Sequence, residues 1–261
     1  MSVYVLNEEL VFPPPEQANE DGVLAVGGDA SVERLILSYA LGIFPWPHES
    51  LPLLWFCPDP RFVLEFERAH VGRSLRRCIR RQRYDVRVDT AFDEVIQHCA
   101  RVARPGQRGT WISDELLHGF VALHRRGYAH SVEAWHHGAL VGGLYGVSLG
   151  RVFFGESMFA LAPDASKVAT VAMLGNLRLW GFRLVDCQVY TENLARFGAR
   201  SWPRARFLTE LRRALVFPTR RGPWRFPLDP VQALAFLKQP ATNPTGQVSA
   251  QPSFLTDQSE R

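Results

Sequence analysis

Between Ala129 and Met158 the chain reads as three consecutive strand-like runs, Ala129–Trp135, Ala139–Leu149 and Arg151–Met158. Only His136-His137-Gly138 and Gly150 separate them, and turns this short suit hairpins, so the three runs predict a meander. A long apolar segment with helical spacing follows, Asp164–Trp180, and then a run that reads as a buried strand, Arg183–Val189. Few architectures accommodate a meander followed by a helix, a buried strand and further helices.

The flanking segments add a strand at Arg61–Phe66, a helix at Arg73–Arg83, a strand at Tyr84–Val88, and helices at Ala91–Ala100 and Asp114–Arg126. Shorter helices are expected at Asn193–Phe197 and Arg206–Phe217. Residues 1–62, rich in Gly and Pro, read as a small N-terminal domain with little regular structure beyond one helix, Ser31–Leu41. Residues 63–235 read as the main domain, and 236–261 as a polar, aperiodic, disordered tail. The expected class is α+β, with the second domain layered in the manner of N-acetyltransferases (GNAT-like). An acetyl-CoA phosphate loop of the form Q/R-x-x-G-x-G/A is missing from Ser157–Thr170, however.

Composition excludes other classes. With 46% hydrophobic and 21% charged residues the chain is neither disordered nor fibrous. Its longest apolar runs, such as Leu140–Leu149, are too short and glycine-broken to span a membrane. Met1–Leu10 lacks the basic and greasy regions of a signal peptide. Cys57, Cys78, Cys99 and Cys187 are scattered, which argues against disulfides or zinc and for a reducing cytoplasm. The histidines form no metal-ligand array, so no metal is expected. Of 30 basic residues only Lys167 and Lys238 are lysine, leaving 28 arginines.

Four stretches could carry chemistry. Arg73, Arg76, Arg77, Arg80 and Arg81 fall on one helical face opposite Leu75, Cys78 and Ile79. Without carboxylate partners they repel one another, which a phosphate backbone would offset; the other reading is a solvated outer face. A second group, Arg200, Arg204, Arg206, Arg212 and Arg213, could continue the track. Trp46, between two prolines, and Trp111, after Gly109-Thr110, are either stacking platforms or core. Strict alternation along Phe153–Phe159 places Phe153, Gly155, Ser157 and Phe159 on one face, and Phe154, Glu156 and Met158 on the other. Glu156 then lies between apolar neighbours, either as a structural ion pair or as a receptor for a cation. In Leu184–Val189 the same period sets Asp186 beside Gln188, either as a satisfied polar network or as a site. No Ser-His-Asp set, P-loop or G-x-G-x-x-G is present.

Several blocks resemble one family: Gly27-Gly28-Asp29, Gly42-Ile43-Phe44-Pro45-Trp46, Pro58-Asp59-Pro60-Arg61, Thr110-Trp111-Ile112, His130-Ser131-Val132-Glu133, Leu140-Val141-Gly142-Gly143-Leu144-Tyr145-Gly146-Val147, Phe154-Gly155-Glu156-Ser157-Met158-Phe159, Ala165-Ser166-Lys167 and Asp186-Cys187-Gln188. Over about Pro13–Leu215 the sequence resembles leucyl/phenylalanyl-tRNA–protein transferases. The resemblance implies transfer of Leu or Phe, and less well Met, from aminoacyl-tRNA to proteins with an N-terminal Arg or Lys, marking them for degradation in the bacterial cytoplasm. It implies an acetyltransferase-like fold used without coenzyme A, no cofactor or metal, and no membrane partner; a monomer is expected.

On this reading Gln188 holds the attacking amine, and Asp186 polarises Gln188 or receives the proton. Glu156, with Asp186, reads the acceptor's cationic side chain. Trp46 and Trp111 clamp the terminal adenosine of the tRNA. Leu144, Phe153, Met158, Met173 and Val185 form the acyl pocket, and the arginine helix carries the tRNA body. The chain departs from the family at Trp55-Phe56-Cys57-Pro58, where a second aromatic followed by serine is usual. Other departures are Thr191 for an asparagine, Asn193 for a common histidine, and Arg196-Phe197-Gly198 for Ser-Leu-Gly. The rival classes are an acyl-CoA-dependent acetyltransferase, disfavoured by the missing phosphate loop, and a non-catalytic RNA-binding protein.

Overall fold

The structure is a computed structural model that describes residues 3–48, 51–101 and 112–240. Its first elements are β1 (Tyr4–Leu6), β2 (Val23–Gly27), α1 (Val32–Ala40), β3 (Phe44–His48) and β4 (Leu51–Phe56). The strands form one sheet in the order β1-β2-β4-β3. The Gly- and Pro-rich composition predicts little regular structure here beyond the one helix. Pro45 and Pro47 lie in β3, however, an edge strand, where a missing N–H breaks no ladder. Helix α1 begins where expected, with the Ser31 hydroxyl accepting the Arg34 backbone N–H.

The remaining elements are β5 (Arg61–Leu64), α2 (Arg73–Arg80), β6 (Asp85–Val88), α3 (Phe92–Arg101), α4 (Asp114–Arg125), β7 (Ala129–His136), β8 (Ala139–Leu149), β9 (Val152–Ala160) and α5 (Ala165–Leu179). They are followed by β10 (Leu184–Asp186), α6 (Glu192–Arg196), β11 (Arg200–Trp202), α7 (Arg204–Leu215) and α8 (Pro230–Leu237). The second sheet runs β11-β5-β10-β9-β8-β7-β6. Strands β6 to β9 form an antiparallel meander, and β10 returns through α5 to lie parallel to β9. The expected α+β class and meander therefore hold.

This sheet separates two cores. One gathers Phe154 and Tyr145 with side chains from α1, α3, α4 and α7; the other gathers Phe153 and Leu144 with α2 and α5. Adjacent phenylalanines thus face opposite layers. The two sheets share the first core, and α1 packs on α4 and α7.

Two segments differ from the sequence reading. Helix α8 lies partly within the stretch expected to be a disordered tail and buries Ala233, Leu234 and Leu237. The signal for it was present: Asp229 and Gln232 form a capping box, with Pro230 in the first turn. Residues 241–261 lie outside the described residues. The strand expected at Arg183–Val189 stops at Asp186.

Strands β9 and β10 pair only through Leu184–Val152, Val185–Phe153 and Asp186–Phe154, then part. Beyond that point the β8–β9 register slips. Tyr145 faces Ser157, Gly146 faces Gly155, and Glu156 is left as the extra residue of a bulge. The bulge works at Gly146 because a Cβ there would collide with the Phe154 carbonyl oxygen and the Phe153 ring. Gly146→Ala is therefore expected to lower stability by about 1–3 kcal/mol in urea unfolding. An unchanged midpoint and slope would contradict this account of the bulge.

Candidate active site

The parting of β9 and β10 opens a cleft of about 440 Å³. Leu144, Phe153, Met158, Met173 and Val185 line it, so the structure brings all five expected pocket residues together. Trp46, half-buried, stands at one side of the cleft near Phe44 and Phe56. Trp111 lies outside the described residues.

Strict alternation along β9 does not survive the bulge. Gly155, Glu156, Ser157 and Met158 all reach the cleft, where the period-2 reading split them between faces. Only a register defect can do this, and nothing in the local sequence announces one.

Glu156 is held by two donors on one oxygen. The Tyr39 hydroxyl of α1 donates to Oε1 at 2.7 Å, and Gln188 Nε2 donates to the same atom at 2.6 Å. Burial pushes its carboxyl up to about 8, and the nearby Asp186 adds to the rise. The Tyr39 and Gln188 hydrogen bonds and the Arg61 charge oppose it without cancelling it. Tyr39 is buried on α1 with the apolar Val32 and Leu35, and its hydroxyl makes it part of the site.

Gln188 sits at φ 61°, a left-handed conformation that costs a non-glycine residue about 1–3 kcal/mol. The Val189 N–H closes a three-residue γ-turn onto the Cys187 carbonyl at 2.7 Å. The Gln188 backbone is gripped on both sides. Its N–H donates to Asp186 Oδ1 at 2.9 Å, and its carbonyl accepts the Phe62 N–H at 3.1 Å. The expectation that Gln188 shares a strand face with Asp186 is therefore corrected, since the strand has ended and a turn carries Gln188.

Asp186 is fully buried, lies behind the cleft and is not part of its lining. Arg61 Nε donates to Oδ1 at 2.8 Å, and Arg61 Nη2 donates to Oδ2 at 2.6 Å. Both carboxylate oxygens are thus engaged, and Asp186 reaches the Gln188 backbone and not its side-chain amide. Arg61 also donates through Nη1 to the Gly42 carbonyl at 2.9 Å. Its guanidinium lies between the Phe44 and Phe207 rings, 4.6 and 4.5 Å from their centroids. Asp186 overcomes the cost of burying this charge and holds Arg61 above the ordinary guanidinium range.

On α2, Leu75 and Ile79 are buried, Arg73, Arg77, Arg80 and Arg81 are exposed, and Arg76 is half-buried. Among the described residues none of these five arginines has a carboxylate within ion-pair distance. In the second basic group, by contrast, Arg206, Arg212 and Arg213 pair with Glu65, Glu16 and Glu210, and Arg204 donates to backbone carbonyls. No cluster suited to a metal occurs among the described residues, and no described helix is long and apolar enough to cross a membrane.

A cleft that joins apolar walls to one shielded carboxylate has room for a greasy group at one end and a cation at the other. The family model for leucyl/phenylalanyl-tRNA protein transferase matches residues 63–212, and the model of that enzyme's N-terminal domain matches 28–59. A leucyl/phenylalanyl-tRNA–protein transferase from Myxococcus xanthus (strain DK1622) is 61% identical over 226 residues, covering 86% of this chain and 97% of its own. Proteins of the same name from Anaeromyxobacter sp. (strain Fw109-5) and Oleidesulfovibrio alaskensis are 61% and 53% identical. They cover 86% and 87% of this chain, and 95% and 94% of their own. The chain belongs to this family of aminoacyltransferases.

The position of Glu156 gives a pH dependence with a definite sign. Below about pH 8 the Glu156 carboxyl is mostly neutral, and a cationic ligand would pair with its ionised form. Affinity for an arginine-headed peptide is therefore expected to rise about tenfold per unit between pH 6 and 8 and then level off. Titration calorimetry across that range checks it. A flat profile for the wild type, or an unchanged slope in Glu156→Gln, would contradict it.

Proposed function

We propose that the chain transfers leucine or phenylalanine, and less readily methionine, from its tRNA to the α-amino group of a protein whose first residue is Arg or Lys. The observation that carries this reading is the union, in one cleft, of an apolar wall and Glu156. The aliphatic or aromatic side chain of the donor lies against Leu144, Phe153, Met158, Met173 and Val185. A pocket of this kind discriminates by about 1–3 kcal/mol per methylene, so it admits several apolar side chains. Glu156 receives the cationic side chain of the acceptor. The terminal adenosine stacks on Trp46, and the unpaired arginines of α2 follow the phosphates of the tRNA body.

The reaction is an aminolysis of an activated ester. The acceptor nitrogen attacks the ester carbonyl carbon, the C–N bond forms, the C–O bond to the ribose breaks, and a proton passes from the amine to the departing ribose oxygen. An α-amino group is roughly 10–15% neutral at pH 7, so its deprotonation costs only about 1 kcal/mol. Orientation can supply about 7–11 kcal/mol. Positioning therefore dominates, and a strong general base is unnecessary. The Gln188 amide donates to Glu156 through Nε2 and turns its Oε1 to the attacking amine. Asp186, with both oxygens engaged, acts as a positioning residue through the Gln188 backbone.

The splayed parallel pair and the bulge support a GNAT-like layering of residues 63 onward, with acyl-tRNA in place of an acyl-coenzyme. Such a monomer, working in the cytoplasm, marks its acceptors for degradation.

The direct test is transfer of labelled leucine from Leu-tRNA to a peptide beginning with Arg, against the same peptide beginning with Ala. Label on the Arg peptide alone supports the reading, whereas label on neither overturns it. Charge reversal of Arg76, Arg77 and Arg80 is expected to raise KM for aminoacyl-tRNA. It should also flatten the log–log salt slope by about 2–3, one unit per lost phosphate contact. If neither quantity moved, α2 would be only a solvated face.

A further inference from the structure

Asn193 occupies a position at which the amide does something the acyl-pocket residues cannot do for themselves. It lies in the first turn of α6, whose Thr191 cap accepts the Leu194 N–H at 3.2 Å. From there Asn193 Nδ2 donates to the sulfur of Met158 at 3.3 Å, and both side chains line the cleft. Methionine has three rotatable side-chain bonds and normally adapts to whatever it touches. Here its far end is tied to a short helix outside the sheet. The strand that carries Met158 has just passed through the bulge at Glu156, so backbone pairing alone does not dictate where the thioether points.

We propose that Asn193 is a specificity-determining residue of the acyl pocket: by anchoring the Met158 thioether it fixes the depth of one wall and so sets the balance between leucine and phenylalanine as donors. This rests on the reading of the cleft as the acyl site. Asn193 does not touch the reacting atoms; it acts through Met158. With the anchor in place the wall has a single shape. Without it the thioether swings, the wall gives way, and the bulkier ring gains more than the branched aliphatic group.

The experiment compares kcat/KM for Phe-tRNA and Leu-tRNA at fixed Arg-peptide concentration in six proteins: wild type, Asn193→Ala, Asn193→His, Met158→Leu, the Asn193→Ala/Met158→Leu double variant and Val185→Ala. Asn193→Ala is expected to raise the Phe:Leu ratio about threefold or more while KM for the peptide stays within twofold. Asn193→His, which keeps an N–H donor, is expected to restore the ratio. In the Met158→Leu background, where no sulfur is available, Asn193→Ala is expected to add nothing, because the two changes remove one interaction. A ratio unchanged by Asn193→Ala, or an equal change with and without Met158, overturns the proposal. Failure of the underlying reading looks different: Met158→Leu and Val185→Ala would then both leave the Phe:Leu ratio untouched.

Discussion

Everything in the cleft is hung from the ion pair between Arg61 and Asp186. Two charges are removed from water here, which is costly, and the geometry offsets the cost by engaging both the edge and the faces of the guanidinium. Two N–H groups meet the two carboxylate oxygens, a third meets the Gly42 carbonyl, and the faces meet Phe44 and Phe207. Four separate parts of the chain are thereby locked together: the turn after α1, strand β3, strand β10 and helix α7. Removing either partner would leave a buried charge without its counter-ion, a loss of about 3–5 kcal/mol. This pair joins the N-terminal sheet to the larger one at the place where the larger one opens.

From that anchor the arrangement runs outward in one direction. Arg61 holds Asp186, Asp186 holds the backbone of Gln188 in a strained γ-turn, and Gln188 presents its amide to Glu156, which Tyr39 meets from α1. The strain at Gln188 persists because both its N–H and its carbonyl are tied. A side chain held in this way loses little freedom when a ligand arrives, and that is what a reaction governed by orientation requires. Burial pushes the Glu156 carboxyl up to about 8, so on the proposed reading it would give up its proton when a cation arrives beside it.

Much of this was legible in the sequence. The meander and its crossover helix follow from periodicity, and α1 begins where the sequence places it. The apolar residues that meet in the cleft were identifiable by type and by family resemblance. Three features were not legible, for physical reasons. The bulge at Glu156 arises from the fit of Gly146 against Phe153 and Phe154, a contact between strands that no single strand encodes. The turn at Gln188 overrides a run of β-favouring residues, because Asp186 Oδ1 accepts the Gln188 N–H as well as Arg61 Nε. The partner of Asp186 lies 125 positions earlier in the chain, and Arg61 had no local pattern to mark it as buried. Period-2 reasoning therefore singles out Asp186 and Gln188 but misassigns what Asp186 touches.

The central claim is that Asp186 acts by holding Gln188 in place and does not take the proton of the attacking amine. The most direct measurement is the single-turnover rate of Phe transfer to a saturating Arg peptide, from pH 6 to 9, in the wild type and in Asp186→Asn. If Asp186 positions, the asparagine variant is slower by the same factor at every pH, and both profiles rise with ionisation of the peptide amine. If the rising limb moves or disappears in Asp186→Asn, the carboxylate is the proton acceptor and the account is wrong.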